Sequence, residues 1–140
     1  MTDTIVVGVD GSETAMKAAR AAARLATGMG GELRVVTAYE GDRTEVVEIG
    51  SDRWVVSDAD DAERVAQLVA SDLGSTGVKT TFAALRGKPH EVLISEADRL
   101  GAKVIVVGSV RMQGMGRILG SVANTVAHNA SCDVYIVKTD

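Results

Sequence analysis

Gly108, Gly114, Gly116 and Gly120 crowd one stretch that carries Arg111 and Arg117 and ends in Ser121 and Val122. Glycines let a backbone approach a ligand closely. Free N–H groups at a helix start, with a hydroxyl such as Ser121 beside them, suit phosphate oxygens, and the arginines could neutralise the charge. The plainer alternative is a flexible loop followed by a capped helix. No Gly-Lys-Ser/Thr follows, so the loop is not a Walker A. Nor is it the dinucleotide pattern, whose third glycine falls due at Leu119 while Gly120 comes one residue late. A second group, Asp10, Gly11 and Ser12, follows an apolar run near the start of the chain. Taken alone, Asp10 reads first as a turn or cap residue.

Other arrangements that would do chemistry are missing. His90 and His128 lie far apart and fall in no metal-ligand spacing. Ser12, Ser109 and Ser121 sit in no nucleophile elbow. The lone Cys132 precedes an apolar run and reads as packing rather than as a reactive thiol. A phosphoacceptor receiver would need clustered acids after the first strand and an aspartate after the third, but Asp10 stands alone and the third run ends in Leu85 and Arg86. No catalytic group and no metal site is expected.

The elements that must position these groups follow from periodicity. Ile5 to Val9 reads as a strand buried on both faces. Ser12 can cap a helix whose inner stripe is Ala15, Ala18, Ala19, Ala22, Leu25, Ala26 and Met29, stopped by Gly30 and Gly31. Leu33 to Tyr39 is a second strand. The acidic stretch after Tyr39, with Trp54 in it, holds no sustained period and is expected to be a long, mobile connection. Asp58, Asp60, Asp61 and Glu63 then suit the first turn of a helix that runs to Gly74. Val78 to Leu85 is a third strand, polar enough for an edge. Pro89 opens a helix closed by Gly101, Val104 to Val107 is the fourth strand, and Ile118, Leu119, Val122, Val126 and Ala130 mark the last helix. Residues 133–138 form the fifth strand. This alternation predicts an α/β fold: an open, five-stranded parallel sheet with helices on both faces. Ligands in such sheets bind beyond the carboxyl ends of the strands, where strand order reverses.

With 140 residues, 46% of them hydrophobic and 24% charged, the chain matches one globular domain spanning 1–140. The net charge of −4 argues against nucleic acid or an anionic membrane as partner. Charge is unevenly spread: from Glu40 to Glu63 nine acids face Arg43 and Arg53, whereas Arg99, Lys103, Arg111 and Arg117 precede Cys132 with no acid among them. No apolar run reaches the roughly 18 residues of a membrane span, and no signal segment opens the chain, so a cytoplasmic location is expected.

The segment from Val104 through Val137 resembles the universal stress protein family, and the likeness extends over nearly the whole chain. Val7-Gly8-Val9-Asp10-Gly11-Ser12 resembles its opening strand and turn, and Gly87 and Pro89 its loop before the third helix. The resemblance implies a Rossmann-like fold of strand order 3-2-1-4-5. It also implies ATP or another adenine nucleotide as ligand, with or without Mg²⁺. ATP-binding members carry glycine, two residues, glycine, nine residues, glycine, then Ser or Thr, around ribose and phosphates. Gly108, Gly120 and Ser121 match that pattern; Arg111 stands at the second glycine, and the interval to Gly120 is one residue short. Gly114 and Gly116 lie inside that interval. Asp10 and the Ala38 backbone match positions that face the adenine. The resemblance further implies a homodimer through residues 133–138. Its expected role is a stress-response sensor that binds nucleotide without committed chemistry, at most a slow ATPase. The alternative is a nucleotide-independent dimeric adaptor, which Arg111 permits. Enzymes of similar fold that cleave ATP carry a Ser-Gly-Gly-x-Asp-Ser loop after the first strand, and this chain does not.

Overall fold

The computed structural model describes residues 2–41, 44–49, 52–109 and 120–139. In chain order the elements are β1 (Thr4–Gly8), α1 (Glu13–Met29), β2 (Glu32–Tyr39), β3 (Thr44–Ile49), β4 (Asp52–Ser57) and α2 (Asp58–Gly74). They continue with β5 (Thr80–Arg86), α3 (Pro89–Leu100), β6 (Val104–Gly108), α4 (Ser121–Asn129) and β7 (Asp133–Val137). Five of the strands form one parallel sheet in the order β5-β2-β1-β6-β7. Counted within that sheet, this is the expected 3-2-1-4-5.

β1 and β6 sit in the middle and are apolar on both faces because both faces are covered. Ile5, Val7, Val104 and Val106 pack on one side against Ala18, Ala19, Ala22 and Ala26 of α1 and Ala66, Val69 and Leu73 of α2. Val6, Ile105 and Val107 pack on the other against Val92, Leu93 and Ala97 of α3 and Ala123 and Val126 of α4. The period of two along each strand assigns the faces, and each buried Val or Ile contributes about 1.5–3 kcal/mol. Alanine on α1 lets that helix lie close to the sheet.

The helix ends follow local chemistry. Ser12 caps α1 by accepting from Ala15 N–H, and Ser57 caps α2 by accepting from Asp60 N–H, with Asp58, Asp60 and Asp61 in that first turn. Gly30 and Gly101 end α1 and α3 in the left-handed conformation.

Three sequence expectations change. The third sheet strand, an edge as expected, is Thr80–Arg86, starting two residues and ending one residue later than read. The last helix begins at Ser121 and is capped by Ala130; Ile118 and Leu119 lie outside the described residues. The long connection is the larger correction, because β3 and β4 pair as an antiparallel hairpin, with Thr44 opposite Ser57 and Val47 opposite Trp54. Neither strand shows a sustained apolar alternation in the sequence, which is why no period announced the hairpin.

One buried polar group had no counterpart in the sequence reading. Glu96 of α3 is only 4% exposed. It accepts from Arg99 Nε and Nη2 at 2.8 and 2.9 Å and from Arg34 Nε of β2 at 3.0 Å. Arg34 also donates to the Phe82 carbonyl of β5 at 3.2 Å. Arg99 above all, then Arg34, holds the Glu96 carboxyl below its ordinary range against the opposing effect of burial.

Candidate functional site at the carboxyl ends of β1, β2 and β6

After β1 the chain leaves into α1 on one face of the sheet, and after β6 it returns through α4 on the other. The two strands are neighbours, so the sheet opens between their carboxyl ends, the switch point of a doubly wound fold. A cavity of about 290 Å³ lies there. Its walls include Asp10, Ser12, Ala38, Gly108, Gly120, Ser121 and Val122. The structure thus brings together three segments far apart in sequence, two singled out by their residue types and Ala38 by the family resemblance.

The floor is apolar, formed by Val9, Val36, Pro89, Leu93 and Val107. Sequence reasoning did not assign these to the site. Leu93 and Val107 read only as core, and they are core residues whose outer ends reach the cavity. Gly8 is a further wall residue, and a Cβ there would stand 3.0 Å from the Leu93 methyl carbons.

Ala38 offers its backbone. Val9 N–H donates to the Val36 carbonyl and Gly87 N–H to the Tyr39 carbonyl, both at 2.9 Å. Backbone groups of successive strand residues point to alternate sides, so Val36 addresses β1 and Tyr39 addresses β5. Ala38 therefore turns its N–H and C=O toward the β1 side. Gly8 pairs with Val36, which sets Ala38 level with Asp10, past the last residue of β1. A donor and an acceptor a few ångströms apart are left beside the cavity.

Asp10 sits in a local turn. Its Oδ1 accepts from Ser12 N–H at 2.9 Å and from Ser12 Oγ at 2.6 Å. Ser12 in turn caps α1. Gly11, at φ 88°, makes this turn possible and faces Val65 rather than the cavity. Asp10 and Ser12 line the cavity and Gly11 shapes the turn that holds them.

At the opposite wall Gly120 is the N-cap of α4, and among the described residues no side chain caps that helix. Asn124 N–H reaches back to the Gly120 carbonyl at 2.9 Å. The N–H groups of Ser121, Val122 and Ala123 have no acceptor within the helix, and all three residues line the cavity. Such a helix start attracts an anion. Arg111, Gly114 and Gly116, together with Met112, Met115 and Arg117, lie outside the described residues.

The groups assigned no chemistry lie elsewhere. His90 Nε2 stands 3.8 Å from Glu91 Oε1, and His128 is in the last turn of α4. Cys132 is half-buried, and burial, followed by the charges of Asp98 and Asp133, pushes its thiol above the ordinary range. Among the described residues no three His, Cys, Asp or Glu side chains gather as a metal site. No helix among them is long and apolar enough to cross a membrane.

Residues 1–138 match the model of the universal stress protein family. The chain belongs to the universal stress protein family. This universal stress protein is 31% identical over 141 residues to one from Mycobacterium tuberculosis, covering 97% of this chain and 96% of the relative. It is 32% identical over 140 residues to one from Thermus aquaticus, covering 99% and 100%. Among solved structures it is similar to a universal stress protein in complex with cAMP, at a TM-score of 0.78 and 27% identity, covering 99% of this chain and 98% of that one. A universal stress protein from Archaeoglobus fulgidus gives 0.77 and 27%, with 99% and 95% covered.

Proposed function

We propose that this universal stress protein binds an adenine nucleotide, ATP or a nucleotide of AMP type, in the cavity between β1, β2 and β6, as a cytoplasmic sensor in a stress response. The observation that carries the reading is the cavity itself: an apolar slot with a backbone donor and acceptor at one wall and an uncapped helix start at the other. Ligand pockets run from about 300 Å³ upward, and this one, at about 290 Å³, is of a size for a base and sugar with the phosphates reaching its open side.

In this reading the base lies against Val9, Val36 and Leu93. The Ala38 N–H donates to adenine N1 and its carbonyl accepts from the N6 amine. Guanine presents the opposite pattern, a donor at N1 and an acceptor at C6, so ATP is favoured over GTP. Asp10 stands beside the base, while the N–H groups of Ser121 and Val122 and the Ser121 hydroxyl take phosphate oxygens. Gly108 and Gly120 leave room for the ribose and phosphates, with Arg111, Gly114 and Gly116 completing that side. Mg²⁺ enters as the companion of ATP phosphates. Similarity to a protein crystallised with cAMP supports the adenine end.

Binding is not coupled to chemistry in this proposal. Phosphoryl transfer needs an aligned nucleophile and charge clamp, and Asp10, the one acid among the described residues of the cavity wall, is engaged by Ser12. The chain acts as one domain and as a homodimer through β7. A second reading, a dimeric adaptor independent of nucleotide, is favoured by Arg111 at a glycine position and by the interval one residue short.

Calorimetric titration of nucleotide-stripped protein with ATP and Mg²⁺, against AMP and GTP, separates the two. Saturable binding at one site per chain, with GTP much weaker, supports the sensor. No heat and no thermal stabilisation at millimolar ATP would leave the adaptor.

A further inference from the structure

Thr139 follows the last strand and is 4% exposed, although its neighbour Lys138 is exposed. Its N–H donates to Ser109 Oγ at 3.1 Å, and its carbonyl accepts from Lys17 Nζ of α1 at 3.5 Å. Its Oγ1 is buried with no partner among the described residues. Hydrogen bonding therefore does not account for the burial of this side chain, and shape does. A Cβ placed on Gly108 would meet Thr139 Cγ2 at 3.1 Å and Ala18 Cβ at 3.7 Å. Thr139 fills the notch that Gly108 leaves toward α1, while Gly108 lines the cavity.

Ser109 is held twice. Its N–H donates to the Val137 carbonyl at 2.8 Å, and its hydroxyl accepts from Thr139. Gly108 and Ser109 are where β6 hands over to the glycine-rich stretch. Through Lys17 the same residue reaches α1, which starts at the Ser12 turn. Thr139 thus ties the two sides of the cavity together from behind.

We propose that Thr139 is a positioning residue for the phosphate side of the site, acting through Gly108 and Ser109. This rests on the nucleotide reading above. Thr139 touches no ligand. It holds Gly108 and Ser109 in place at the end of β6, on the wall of the cavity where the phosphates are placed. The base end, built from Ala38, Val36 and Leu93, does not depend on it.

The test compares ATP with adenosine, which lacks the phosphates, on wild-type protein, Thr139→Gly, Thr139→Val and Ser109→Ala, with melting temperature recorded for each. Thr139→Gly empties the notch and is expected to weaken ATP at least fivefold while adenosine stays within twofold. Thr139→Val keeps the shape and discards only the unpartnered hydroxyl, so ATP affinity returns to the wild-type value. Ser109→Ala removes the acceptor and shifts ATP in the same direction as Thr139→Gly, and serves if the glycine variant fails to fold. Equal ATP affinity in folded Thr139→Gly, or equal losses for ATP and adenosine, overturns the positioning role. If wild-type protein binds neither, the nucleotide reading itself has failed.

Discussion

Gly120 both caps α4 and lines the cavity in which the nucleotide is proposed to bind. It is buried in the cavity wall with φ −62°, a conformation open to any amino acid. Its importance is therefore space and not backbone freedom. Replacing it with leucine should fill the cavity and weaken ATP roughly tenfold or more, equal to at least about 1.4 kcal/mol, with the melting temperature nearly unchanged. Intact affinity in folded Gly120→Leu would place the phosphates elsewhere. Glu96 makes a different point, since its worth lies in charge. Its pKa is lowered from 4.5, so the stability it confers is complete above that value and is lost as pH falls through the folded-state pKa below it. Glu96→Gln should cost about 2 kcal/mol at pH 7, the scale of hydrogen bonds to a charged group. The gap between the two melting curves should close as the pH drops below 4.5, and a gap that stays constant would refute the role.

At the scale of elements, helix starts do two jobs in this protein. α1 and α2 close their first turns with Ser12 and Ser57, whereas α4 begins at a glycine with no side-chain cap. Ser12 and Ser57 stabilise their helices, and of the two starts without a side-chain cap among the described residues, those of α3 and α4, the proposed function places the phosphates at α4. Ser57→Ala should therefore lower stability by about 1 kcal/mol and leave ATP affinity as it is, read by chemical denaturation and titration of the same sample. The hairpin β3–β4 feeds directly into the Ser57 cap. Its strands escaped a period-based reading because Val46, Val47, Val55 and Val56 run in adjacent pairs and blur any alternation. The helices were easier: alanine at a spacing of three and four along α1 marks its buried face with no competing pattern.

Across the whole molecule the sheet has two unlike edges. On β5, Lys79 accepts from Leu33 on the inner side, so by alternation the Phe82 carbonyl points outward, and Arg34 occupies it. That edge is blunted. On β7, Val137 accepts from Ser109 on the inner side, which leaves the backbone groups of Val134 and Ile136 facing outward beside Tyr135, 43% exposed. A twofold partner strand would cover them. With Tyr135→Lys, two like charges would face each other across that pair. Sedimentation equilibrium should then show monomers in place of dimers while ATP affinity persists; dimers of unchanged stability would move the interface off β7.

Residue order alone made the alternation of sheet strands and helices, the helix faces, and the Asp10 and glycine-rich segments legible, while the sheet order and the role of Ala38 came with the family resemblance. Strand burial, helix period and glycine placement are local signals, and the doubly wound fold converts them into one arrangement. Residue order did not reveal Thr139, Glu96 or Leu93 as participants. Thr139 lies 31 residues beyond Gly108 in the chain and meets it only because β7 lies beside β6. Glu96 reads as a surface acid until α3 is laid across β2 and Arg34 arrives under it. Ala38 has an inert side chain, and its value comes from β1 ending two residues short of it in register. Each of these depends on which strands are neighbours and in what register. Side-chain chemistry is written along the chain, but the distance between two groups is set only when the sheet closes.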